Sequence, residues 1–332
     1  MLCIILIINE VDLINKERQM IIDNNEISEI YTFELNGFKQ KVLIEGKSKN
    51  LPILLILHGG PGMPMPFNVG CRGAYPKWTD KFIMVYWDQL GSGINDHKLD
   101  NSFTADSFVQ MANDLINQIK KLFPNPLYIF ATSWGSIISA KLANNEDIAG
   151  IFVWGQMVKD AFLNEEVLQA LENSDIPKEK LAAAFKVNRD NMTCDSMRNY
   201  CSYMQKYTQG YLAKGTKMLS FKKQLMDYFG SKDYSFKNVI AIMINGTLNC
   251  ESLWKEMVNV DLKDELLNTK VRYHIFQGDH DIVTSTLEVK KLMESNKNPK
   301  LTYEIIPNAA HTFATEEHFD MVLEKLIAYI YN

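Results

Sequence analysis

The chain lacks a basic excess. Its 332 residues carry 35 Lys and Arg against 40 Asp and Glu, a net charge of −5. That balance argues against a nucleic-acid-binding surface. Paired cysteines are also missing. Cys3, Cys71, Cys194, Cys201 and Cys250 are scattered and form no Cys-x-x-Cys pair. Neither a zinc site nor a disulfide framework is indicated, and reduced thiols in a cytoplasmic protein are the simplest account. No apolar run reaches the roughly 20 residues of a membrane span. Residues 1–8 are apolar, but no basic residue precedes them and Asn9-Glu10 follows in place of a small-residue cleavage site. Neither a membrane anchor nor a signal peptide is expected. Residues 1–28 read as an N-terminal extension, of which 1–19 look peripheral and need not belong to the natural product. There is no internal repeat and no low-complexity tract.

What is present is a 46% apolar composition, ample for a core. Residues 29–35 and 39–44 alternate apolar and polar around Asn36-Gly37. They predict a hairpin of two edge strands. Short continuous apolar runs at 53–57, 82–87, 127–131 and 148–154 predict strands covered on both faces, and 271–276 and 301–306 read as two further strands. Helical spacing fills 104–122, 137–143, 283–295 and 316–331, with Thr104 as a helix start. Between about 156 and 265 strand signals vanish and helical stretches take over. The expected fold class is α/β: a mostly parallel, doubly wound sheet with an inserted helical cap. The core would comprise 29–155 and 266–332, and the cap 156–265.

In such sheets, reactive groups gather outside the C-terminal strand ends. Ser133 follows the run at 127–131, in Ala131-Thr132-Ser133-Trp134-Gly135. Strand, sharp turn, serine, helix is the setting of a nucleophile elbow. A serine that merely N-caps a helix fits the pentapeptide as well. Asp281 and His311 also follow predicted strands, and the order Ser, Asp, His matches one version of the catalytic triad. A serine hydroxyl needs a base within hydrogen-bond reach. An imidazole titrates near working pH, and a carboxylate would hold its tautomer. Asp279 competes with Asp281 for that last role, and Asp281 is favoured because Gly278 allows a turn that presents the residue three positions later. His274, His280 and His318 read as structural. Oxyanion donors would be the N–H of Trp134 and one from His58-Gly59-Gly60-Pro61-Gly62, with Gly60 preferred over Gly59. Asp88, in the loop 88–93, reads as a brace between loops.

Together His58-Gly59-Gly60-Pro61-Gly62, Trp87-Asp88-Gln89-Leu90-Gly91-Ser92-Gly93 and Thr132-Ser133-Trp134-Gly135-Ser136 resemble the α/β-hydrolase fold. More narrowly they resemble the proline iminopeptidase (prolyl aminopeptidase) family of serine peptidases. Gly278-Asp279-His280-Asp281 and Ala310-His311 fall where that family carries its acid and base. The resemblance spans about 29–155 and 266–331. It implies Ser133 as nucleophile, Asp281 as acid, His311 as base, Gly60 and Trp134 as oxyanion donors, and a helical cap over the pocket. It also implies cap carboxylates for a substrate amine, for which Glu165, Glu166, Glu172, Glu251 and Glu256 are the available residues. Leu90 and Ala131 depart from the family's usual Arg and Gly.

Three functions follow. The first is a serine hydrolase with an acyl-enzyme intermediate that releases N-terminal residues from small peptides. The second is a carboxylesterase or other acyl hydrolase of small apolar substrates. Its pocket would draw on Phe162, Phe185, Met192, Tyr203, Met204, Tyr207, Tyr211 and Trp254, a set equally suited to core packing. The third is a ligand-binding protein without catalysis. None requires a metal or organic cofactor. The expected partner is a small peptide, amide or ester.

Overall fold

A computed structural model describes residues 2–220, 228, 231–244 and 249–331. Parts of the expected 156–265 block, namely 221–227, 229–230 and 245–248, lie outside these, as do Met1 and Asn332.

Eight strands form one sheet: β1 (Ile27–Leu35), β2 (Phe38–Gly46), β3 (Ile53–Leu57), β4 (Ile83–Tyr86), β5 (Leu127–Thr132), β6 (Ile148–Trp154), β7 (Arg272–Gly278) and β8 (Leu301–Ile306). Their order is β1-β2-β4-β3-β5-β6-β7-β8. The pairs β1/β2 and β2/β4 are antiparallel, and the remaining pairs are parallel. Every residue of β3 and β4 is buried, as expected of apolar strands packed on both faces. One expectation needs correction. The hairpin does not supply two edge strands, because β2 also pairs with β4 through Leu43–Glu45. That pairing explains why the second half of β2 is buried while β1 alternates.

The helices divide between the two faces. The first face carries α3 (Ala105–Leu122) and α4 (Gly135–Lys141), the second α12 (His318–Tyr331), each over its own apolar cluster. The start of α3 is set by Thr104, whose hydroxyl accepts from the Ser107 N–H while the Ser107 hydroxyl accepts from the Thr104 N–H. This reciprocal box satisfies donors that a helix otherwise leaves open. Also present are α1 (Leu2–Asn24) and α2 (Pro76–Thr79). In α1, Arg18 turns inward and donates to the Gly70 carbonyl at 3.3 Å.

Between β6 and β7 the described residues form α5 (Glu165–Glu172), α6 (Lys178–Lys186), α7 (Cys194–Tyr207), α8 (Phe236–Ile244), α9 (Glu251–Val258) and α10 (Lys263–Leu267). After β7 comes α11 (Thr286–Ser295). It begins later than the apolar spacing predicts, because the Asp281 side chain accepts from the Val283 and Thr284 N–H groups and folds that stretch into a turn. Among the described residues no helix is long and apolar enough to cross a membrane.

The crossing of α4 over β3 is very close. A Cβ on Gly135 would lie 2.1 Å from the Leu57 carbonyl oxygen and 3.0 Å from that of His58. Backbone atoms there cannot move aside cheaply. Gly135→Ala is therefore expected to destabilise the chain by about 3 kcal/mol, read as a lowered thermal midpoint. An unchanged midpoint would mean that α4 stands farther from β3.

Candidate active site

Ser133 sits in the turn between β5 and α4, with φ of 51°. This left-handed conformation is uncommon for a residue with a Cβ and tends to persist only where the surroundings enforce it. Here the Ser133 N–H donates to the Trp154 carbonyl at 3.1 Å, and Ser136 N–H closes the turn onto the Ser133 carbonyl at 2.8 Å.

The three side chains expected to act together meet. His311 Nε2 lies 2.9 Å from Ser133 Oγ, and His311 Nδ1 lies 3.0 Å from Asp281 Oδ2. Asp281 is buried at 1% exposure. Its Oδ1 accepts from the Val283 and Thr284 N–H groups at 2.9 and 3.0 Å, and its Oδ2 also accepts from Thr284 Oγ1 at 2.6 Å. Burial pushes this carboxyl up, but His311 and the Thr284 donors pull it further the other way. The net result is a carboxyl held below its usual range. An acceptor-only Oδ2 requires the proton of His311 on Nδ1, which leaves Nε2 as an acceptor facing the serine hydroxyl.

Asp279, the rival acid, serves another purpose. Its oxygens accept from the N–H groups of Asn308 and Ala309, both at 3.1 Å, and it pairs with His280. It thus fixes the backbone that carries His311. Gly278 allows the acid and base loops to touch, since a Cβ there would lie 2.6 Å from the Ala309 carbonyl. Trp154, at the end of β6, ties the serine turn to the base loop: its carbonyl accepts from the Ser133 N–H and its indole N–H donates to the His311 carbonyl, each at 3.1 Å.

The loop after β3 lies against the serine: a Cβ on Gly59 would sit 3.2 Å from Ser133 Cβ. Gly60 has φ of 118°, a conformation reserved for glycine. Among the described residues, neither the Gly60 N–H nor the Trp134 N–H donates to a loop or turn carbonyl. His58 and Gln89 lock this loop, a role the sequence reading did not assign. The Gln89 N–H donates to His58 Nε2 at 3.0 Å, so His58 carries its proton on Nδ1 and donates it to the Gly59 carbonyl at 2.8 Å. The Gln89 amide then donates to the His58 carbonyl and accepts from the Trp134 indole. The only sequence hint was the position of Gln89 beside Asp88 in the 88–93 loop. Asp88 itself accepts from Val69 N–H, Ile94 N–H and the Tyr234 hydroxyl, the bracing role expected of it.

The glutamates considered for a substrate amine include two with other partners. Glu166 accepts from the Ser285 hydroxyl and Glu256 from the Ala105 N–H. Of the residues considered for an apolar pocket, Phe162, Met192, Met204 and Trp254 are buried in the main core cluster, and Phe185 is exposed. Tyr211 stands beside His311, with ring centroids 5.4 Å apart and planes at 83°. Among the described residues no group of His, Cys, Asp or Glu is arranged to hold a metal ion.

Buried titrating groups set how stability responds to acid. Burial pushes His58 and His274 each down to about 4, so both are neutral in the fold. An unfolded chain takes up protons at such sites below about pH 6.5. Their contribution is fully present above that pH and is lost as pH falls toward 4. Asp88 acts in the opposite sense. Burial pushes it up to about 6, so its contribution is largest below about pH 4 and fades as pH rises. Burial also holds His318 down and Glu45 and Glu256 up; the two histidines at about 4 are displaced furthest, and the thermal midpoint should drop between about pH 7 and pH 5. A flat or rising midpoint on acidification would contradict this balance.

The family described as alpha/beta hydrolase fold matches residues 52–317. The probable aminopeptidase YbaC of Bacillus subtilis (strain 168) is 22% identical over 311 residues, covering 90% of this chain and 95% of the relative. Among solved structures, a proline iminopeptidase-related protein from Thermus thermophilus superposes with a TM-score of 0.56 at 16% identity, over 91% of this chain and 97% of that one. The carboxylesterase CesB of Bacillus subtilis superposes with a TM-score of 0.56 at 15% identity, over 97% and 99%. With its sheet order, its serine turn after β5 and this match across most of its length, the chain belongs to the alpha/beta hydrolase fold family, as a serine hydrolase.

Proposed function

We propose that the chain cleaves acyl bonds through a covalent acyl-enzyme on Ser133, with His311 as base, Asp281 as its partner, and the N–H groups of Gly60 and Trp134 as oxyanion donors. The observation that carries this reading is the unbroken hydrogen-bonded path from Ser133 Oγ through His311 to Asp281. His311 Nε2 takes the hydroxyl proton as Ser133 attacks the carbonyl, then returns it to the leaving group. Asp281 stabilises the imidazolium formed between those steps. The helices between β6 and β7, about 156–265, act as a cap over this site, set on a core of 29–155 and 266–332.

The substrate proposed is a small peptide from which the N-terminal residue is released, as in the proline iminopeptidases. Similarity to a relative named as a probable aminopeptidase over nearly the full length of both chains supports this. A second reading, an esterase of small apolar acyl groups, is favoured by the engagement of Glu166 and Glu256 elsewhere. Prolyl and alanyl arylamides, assayed beside short-chain aryl esters, separate the two. The peptidase reading expects arylamide cleavage that disappears when the substrate's amine is acetylated. Rapid ester turnover with no arylamide cleavage would overturn it in favour of the esterase.

A further inference from the structure

The loop that carries His311 is held partly by the helical insertion. After α7 the chain runs through Gly210 and Tyr211, directly past that loop. The His311 N–H donates to the Gly210 carbonyl, and the Thr312 N–H to the Tyr211 carbonyl, each at 3.0 Å. Gly210 is wedged against the acid loop as well, since a Cβ there would lie 2.4 Å from Ile282 Cγ1. The segment is anchored at its start. Thr208 Oγ1 donates to the Met204 carbonyl at 2.6 Å and accepts from the Gly210 N–H at 3.1 Å. The Tyr211 ring stands edge to face with the His311 imidazole, and its hydroxyl lies beside the Cys201 thiol of α7. Burial pushes that thiol up to about 12, so it stays neutral.

The two hydrogen bonds of His311 lie at opposite ends of its ring. Such a pair leaves the ring free to tip about the line joining them, and free to swing away when the serine proton leaves. A ring packed perpendicular to it closes both routes. We infer that Tyr211 is a positioning residue for His311, supplied by the helical insertion, and that the segment 208–213 is part of the support of the base. This inference rests on the reading of Ser133, His311 and Asp281 as the reacting groups.

The test compares Tyr211→Leu and Tyr211→Phe with the unaltered chain. One readout is the rate of Ser133 labelling by a fluorophosphonate, and another is turnover of p-nitrophenyl acetate. Thermal melting checks the fold. Tyr211→Leu should lower kcat and the labelling rate roughly 10- to 100-fold, with KM changed less than about threefold, the scale of loss when a reacting group is slightly misplaced. Tyr211→Phe keeps the ring and loses only the hydroxyl, so it should retain at least about half of both rates. If Tyr211→Leu does not fold, Tyr211→Met carries the same expectation. Wild-type rates in the Leu or Met variant would overturn the inference, as would a loss confined to KM, which would make Tyr211 a pocket wall. Those outcomes leave the serine reading standing. An unaltered chain that resists the fluorophosphonate overturns that reading and this inference with it.

Discussion

Ser133→Ala should lose turnover by roughly 10⁴- to 10⁶-fold while the fold survives. The substitution removes the hydroxyl that His311 Nε2 faces at 2.9 Å. It leaves the backbone contacts of the turn intact, because the Ser133 N–H and carbonyl make them. Alanine at φ of 51° is no more strained than serine, so the thermal midpoint should hardly move. What activity remains would come from the Gly60 and Trp134 donors acting on a water-attacked substrate. Removing His311 in addition should cost little more, since groups that act as a unit are not additive. The measurement is steady-state turnover of the single and double variants on whichever substrate the arylamide and ester panel yields. Substantial turnover in Ser133→Ala would mean that another group attacks the substrate.

Asp281→Asn should cost about 10⁴-fold in kcat, for a reason of proton placement. The Val283 and Thr284 N–H groups point at Oδ1. An asparagine must therefore set its carbonyl oxygen there, which turns its NH₂ toward His311 Nδ1. That nitrogen then has to accept, and the imidazole proton moves to Nε2. An N–H facing Ser133 Oγ cannot take the serine proton. Volume and burial hardly change, so the loss should fall on kcat with KM nearly constant. A Thr284→Val control removes one donor to Oδ2 without reversing the tautomer, and its loss should be far smaller. Equal losses in the two variants would mean that the site tolerates no change in packing there, and the tautomer explanation would fall.

Much of this was written in the chain's local pattern. The apolar runs at 53–57 and 148–154 coincide with β3 and β6, because a strand sandwiched between helix layers has no polar face to blur its signal. Ser133, Asp281 and His311 were visible because each follows a strand expected from the sequence. Asp281 was distinguishable from Asp279 through the turn from Gly278, whose carbonyl does accept the Asp281 N–H. Less legible was whatever depends on pairing at a distance. The second partner of β2 could not be read from its alternation. Nor could the bond of Gln89 to the Trp134 indole, which crosses 45 positions. The contact of Tyr211 with His311 looked like one more aromatic among many in a helical stretch. Thr284, three residues after Asp281, was the one overlooked group near the triad with a local signal: an acid and a hydroxyl at that spacing commonly share a turn.

The sheet order has a consequence for synthesis. The serine turn is complete once β5, α4 and β6 have emerged, since Trp154 of β6 holds the Ser133 N–H. His311, the proposed base, lies 178 positions later, on a loop behind the last strand. Strand β7 must find β6 across the whole helical insertion, a long-range pairing that forms slowly. Under the proposed mechanism a nascent chain therefore carries its nucleophile inert through most of translation. Hydrolytic capacity arrives only when β7 and β8 close the sheet, so arming the serine and finishing the fold become one event.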